Sequence, residues 1–129
     1  MNYDKLKHNL KEFLLEYFDY MARITEPSTE DNKINDELMY DDMILSVDIF
    51  IDIKYIVVSL TSNFGMYPKY EKINITTYID KDKDEEALSN DVINAIKTLY
   101  SKLDDTTKRA KKILEEQNVW EYLSNGNEN

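Results

Sequence analysis

Residues Met43 to Ile51 alternate with a period of two. Met43, Leu45, Val47, Ile49 and Ile51 fall on one side, with Ile44, Ser46, Asp48 and Phe50 on the other. An extended strand separates such residues into one greasy face and one mixed face. Tyr55 to Thr61 continues the alternation, with Ile56, Val58 and Leu60 inward. Few residues separate the two runs, which predicts an antiparallel hairpin. A turn at Ser62 to Pro68, containing Gly65, leads to a third run, Tyr70 to Ile79. There Ile73, Ile75, Thr77 and Ile79 alternate with Lys72, Asn74, Thr76 and Tyr78.

Helical periodicity brackets these strands. From Asn2 to Ile24, the residues Tyr3, Leu6, Leu10, Phe13, Leu14, Tyr17, Met21 and Ile24 recur at three- and four-residue steps, which predicts one helix with an apolar stripe. Phe18 and Tyr20 flank the stripe, and Leu15 lies beyond it beside Ala22. The apolar arc is wider than one core contact needs, which makes Leu15, Phe18 and Ala22 a candidate face for a homodimer or a partner. Thr25 to Asp36 reads as a polar loop with Pro27.

At the other end Leu88, Val92, Ile96, Leu99 and Leu103 form one stripe, and Ala110, Ile113 and Leu114 another. Asp104-Asp105-Thr106-Thr107 has N-cap chemistry and predicts a break or bend. Asn118 suggests a cap for a short last helix, Val119 to Leu123. The expected fold is α+β in the order α-β-β-β-α-α, a three-stranded antiparallel meander with helices packed on one face. Residues 1–124 are expected to form a single domain and 125–129 a disordered tail.

Much chemistry is excluded by what the chain lacks. It has no cysteine and one histidine, His8, on the polar side of the first helix. Those numbers rule out His/Cys zinc sets and cysteine-protease arrangements. Gly65 and Gly126 are its only glycines, too few for a phosphate-cradling loop or a dinucleotide fingerprint. Asp80 to Asp91 imitates a calcium loop, with acids at positions one, three, five and twelve. However, Glu85 stands where the sharp turn wants glycine, and a strand precedes it instead of a helix. The simpler reading is a polar loop whose acids complement a helix N-terminus. The expectation is a non-enzymatic protein with no cofactor and no metal.

Charge supplies the remaining clue. Of a net charge of -10, the window Glu26 to Asp52 carries nine acids against Lys33 alone. Direct nucleic-acid binding usually rests on basic patches, so the balance argues against it and points to a basic protein partner. Glu26 to Glu37 is expected to lie mainly in the polar loop, whereas Asp41, Asp42, Asp48 and Asp52 are tied to a strand, where their spacing would be rigid. With Glu37, Tyr40 and Tyr55 they form the candidate partner-binding set. Tyrosine joins the carboxylates because it gives contact area at small entropic cost.

The expected function is an acidic inhibitor that blocks a basic nucleic-acid-handling protein, such as a nuclease or CRISPR effector, by mimicking DNA. A phage or mobile-element source and an anti-CRISPR or other anti-defence role fit this size and charge. The alternatives are a dimeric secretion or assembly chaperone, and an immunity protein or antitoxin. With no signal layout and no apolar run near the ~20 residues of a membrane span, the expected location is the cytoplasm, that of a bacterial host if phage-encoded.

Overall fold

The hairpin read from the alternation is present in the computed structural model, which describes residues 3–40, 42–66 and 69–126, without the side chains of 66, 69 and 118–126. Strand β3 (Met43–Ile51) pairs antiparallel with β4 (Tyr55–Met66), from Ile44 opposite Asn63 to Ile51 opposite Ile56. The third run is β5 (Lys69–Asp80), and it pairs with β4 in unbroken register. Among the described residues the sheet has five strands, not three. β1 (Ala22–Glu30) and β2 (Lys33–Tyr40) extend it on the other side, in the order β1-β2-β3-β4-β5.

The stretch read as a polar loop is thus a second hairpin. Its turn is Asp31-Asn32, with Asp31 in the left-handed region at φ 42°, a conformation that aspartate tolerates better than most residues. The signal was hidden at Asp36. This acid occupies an inward position between Ile34 and Leu38, where an alternation pattern wants an apolar residue. Arg23 on β1 supplies its partner.

The first helix is correspondingly shorter: α1 (Asp4–Tyr17) ends ahead of β1 instead of running to Ile24. Met21 and Ile24 matched the helical stripe by coincidence of spacing. In the fold, Met21 is buried just before β1, and Ile24 is an exposed strand residue.

The C-terminal third is one helix, α2 (Glu85–Gly126), 42 residues long and so about 63 Å. No break occurs at Asp104 to Thr107. Asp104 pairs with Lys108 at 2.9 Å and Asp105 with Arg109 at 3.1 Å, both one turn ahead, so these acids serve the helix interior. Nor does Asn118 begin a separate helix. Asn125 and Gly126 are helical, and 127–129 lie outside the described residues.

Both helices cover one face of the sheet. Leu6, Leu10, Leu14 and Phe18 from the α1 segment meet Leu88, Val92, Ile96, Leu99 and Leu103 of α2, above Ile34, Leu38, Leu45, Val47, Ile49, Ile56, Val58 and Leu60. Each such side chain contributes roughly 1.5–3 kcal/mol on leaving water. The helices run in the same direction, and one group joins their starts: the Glu85 Oε1 accepts the Leu6 N–H at 2.9 Å. Among the described residues no helix is long and apolar enough to cross a membrane.

Candidate interaction surface

With both helices on one side, nothing among the described residues covers the opposite face of the sheet, which is open. The strand register lays its side chains out in rows running from β2 to β5. In order they are Met39-Ile44-Asn63-Lys72, Glu37-Ser46-Thr61-Asn74, Asn35-Asp48-Ser59-Thr76 and Lys33-Phe50-Val57-Tyr78. The two middle rows are polar. Apolar or aromatic residues stand at both ends, where Met39, Ile44, Phe50 and Tyr78 are exposed.

The polar rows hold one another in place. Asn35 donates to Asp48 Oδ1 at 2.8 Å, and Lys33 stands 4.0 Å from the same oxygen. Asn74 donates to Ser59 Oγ at 2.7 Å and Thr61 Oγ1 at 2.8 Å, while Thr76 donates to Asn74 Oδ1 at 2.8 Å. At the end of the face Tyr55 meets Tyr78 edge-on, with ring centroids 6.1 Å apart. Cross-strand contacts of this kind fix side-chain positions on a sheet. The open face is therefore a preset array of hydrogen-bonding groups with one aliphatic and one aromatic end.

The candidate acidic set does not gather at one place. Glu37 and Asp48 are diagonal neighbours on the open face, and Tyr55 lies at its end. Asp42 sits in the β2–β3 turn and Asp52 just beyond the other end of β3, separated by about 34 Å of extended chain. Tyr40 turns to the helix side, where its ring meets Tyr20 at 5.8 Å. Asp41 lies outside the described residues.

The proposed helical face is likewise divided. Leu15 is half-buried on α1, Phe18 is fully buried at its C-terminal end, and Ala22 is exposed on β1 opposite Met39. Phe18 packs edge-on against Tyr17 and Tyr100, which occupies it within the core.

The Asp80 to Asp91 segment is also committed internally. Asp84 caps α2 by accepting the Ala87 N–H at 2.8 Å, Glu85 caps α1, and Lys83 pairs with Asp91. That pairing holds the Lys83 ammonium above its usual range. Among the described residues no three carboxylates or imidazoles converge as metal ligands would. A cleft of about 460 Å³ opens nearby, between the start of α1 and the strand turns. Its two lysines are engaged in the fold. Lys7 donates to the Asp31 carbonyl at 2.6 Å, and Lys81 donates to the Asp52 carbonyl and covers the Tyr3 ring.

Residues outside the candidate set thus supply most of the open face, including Asn35, Phe50, Ser59, Asn74 and Thr76. For Phe50, Asn74 and Thr76 the signal was the mixed, even-numbered side of the β3 and β5 alternations, and for Ser59 the outward side of β4, while Asn35 fell in the stretch read as a loop. No protein-family model, curated protein or solved structure matches the chain.

Proposed function

We propose that the protein is a non-enzymatic binding module whose open sheet face recognises a basic protein surface. The observation that supports this most is the uncovered face itself. It presents Glu37 and Asp48, with Lys33 and Lys72 on the same face, within a fixed polar array, between exposed Met39 and Ile44 at one end and Phe50 and Tyr78 at the other. Exposed apolar and aromatic side chains beside oriented polar groups supply the two kinds of contact that recognition surfaces combine. If the partner handles nucleic acid, Glu37 and Asp48 would stand where phosphates bind, and the protein would act as a competitive inhibitor.

The test is to capture the partner from the source cell at low salt and measure its affinity over a salt series. Wild type should bind more weakly as salt rises. The double variant Glu37→Lys, Asp48→Lys and the single variant Phe50→Asp should each lose at least tenfold in affinity while keeping the wild-type circular dichroism spectrum. Folded variants that bind like wild type would remove the open face from the mechanism.

A further inference from the structure

The two edges of the sheet are built differently. β1 contains Pro27 and two register shifts against β2, and proline and bulges are how natural edge strands refuse further pairing. β5 has neither defence. It pairs with β4 in regular register along its full length, from Lys69 to Asp80, and no other strand pairs with it among the described residues.

The orientation of its peptide groups follows from one bond. The Lys81 N–H donates to the Lys54 carbonyl, which continues the β4–β5 pairing and marks odd-numbered β5 residues as those turned toward β4. The amides and carbonyls of Lys72, Asn74, Thr76, Tyr78 and Asp80 therefore point away from the sheet. The core is unfinished on the same side: Ile73, Ile75 and Ile79 are only half-buried, whereas Ile56, Val58 and Leu60 on β4 are fully buried. Beside them a groove of about 540 Å³ runs between β5 and α2, past Thr77, Ile79, Asn94, Ala95, Thr98 and Leu99.

We infer that β5 pairs antiparallel with β5 of a second copy of this chain, with Thr76 on the two-fold axis, to form a continuous ten-stranded sheet. Charge complementarity within β5 itself, which ends at Asp80, favours a second copy as the occupant and favours this register. With Thr76 on the axis, Lys72 lies opposite Asp80 twice, Ile73 faces Ile79, and Asn74 faces Tyr78. Moving the axis to Asn74 sets Tyr70 against Tyr78 and leaves Lys72 opposite Thr76. Moving it to Ile75 sets Glu71 against Ile79. The Thr76 register alone among these matches opposite charges and also brings isoleucine to isoleucine on the helix side. There the second copy's Ile73 and Ile75 approach the groove. The inference does not require the open face to bind a partner, although the β5 side chains of that face, Lys72 to Tyr78, would line the seam between two open faces set side by side.

Light scattering after size exclusion tests it on the full chain. Wild type should have a mass near twice 15.3 kDa. Thr76→Pro removes one outward amide hydrogen and leaves the pairing with β4 intact, so it should be a folded monomer. Lys72→Asp should weaken the dimer at least tenfold, and adding Asp80→Lys should restore it, because the exchange recreates the same pair. If Thr76→Pro fails to fold, the charge exchange decides, since it leaves the backbone unchanged. A wild type that is monomeric at millimolar concentration, a folded Thr76→Pro that still dimerises, or charge variants with unchanged mass would each overturn the proposal. A monomer would leave the β5 edge to a different chain.

Discussion

Arg23 grips both carboxylate oxygens of the fully buried Asp36, with Nε 3.0 Å from Oδ1 and Nη2 2.9 Å from Oδ2. The same Nη2 donates to the Leu14 carbonyl at 3.1 Å, so one guanidinium ties β1, β2 and the last turn of α1 together. The hydrogen bond to Asp36 raises the Arg23 pKa above its usual range, against the opposing effect of burial. Removing only the arginine strands a charge in the core. Arg23→Met should cost about 3–5 kcal/mol in urea unfolding. The double variant Arg23→Met, Asp36→Leu should recover most of that loss, because it removes the stranded charge as well.

A smaller lock holds α2 on the sheet. Ser62 Oγ on β4 and Thr107 Oγ1 in mid-helix lie 2.8 Å apart, and both residues are buried. Thr107→Val should destabilise the protein by about 1–3 kcal/mol, since it leaves the Ser62 hydroxyl without its partner. Adding Ser62→Ala should bring the midpoint back toward wild type. A double variant no more stable than the single one would mean that the hydroxyl pair is not the contact that matters.

High pH should act through the aromatic cluster. Burial pushes the Tyr100 hydroxyl well above its ordinary 10.0, assisted by its 3.0 Å hydrogen-bond contact with the Tyr20 hydroxyl. Tyr17 is raised in the same direction by burial. The unfolded chain releases these protons at about pH 10, while the folded chain keeps them, so the stabilising contribution is complete below that pH and declines above it. Tyr100→Phe should flatten the fall in urea midpoint between about pH 9 and 11 while leaving most of the ring packing in place.

The parts of the fold that could be read in the sequence were those whose pattern is apolar and local. The β3 and β4 alternation and the Leu88 to Leu103 stripe are carried by side chains that simply leave water. Asp36 broke the pattern of β2 because its burial depends on Arg23, thirteen residues away, and a distant charge partner leaves no periodic trace. Thr107 misled in a related way. Its hydroxyl resembles a cap, yet it turns inward to a serine that only the folded sheet brings near. At the candidate surface, Glu37 and Asp48 were found by charge. Asn35, Asn74 and Thr76 were not singled out, because their importance comes from lying on a face that no described residue covers.

The meander order has a kinetic meaning. Each strand pairs with its neighbour along the chain, so the sheet can assemble by successive short closures, the steps least slowed by chain entropy. The meeting of α1 with α2 is different: Leu6 and Glu85 stand 79 residues apart. That docking is expected to follow the rate-limiting step, because its loop closure is the longest of these. Glu85→Ala should therefore speed unfolding by about the full loss of a helix cap, roughly 0.5–2 kcal/mol, and leave refolding nearly unchanged. Val47→Ala, opposite Leu60 in the central hairpin, should slow refolding instead. Unfolding would then begin with the release of α1, while the strands still hold.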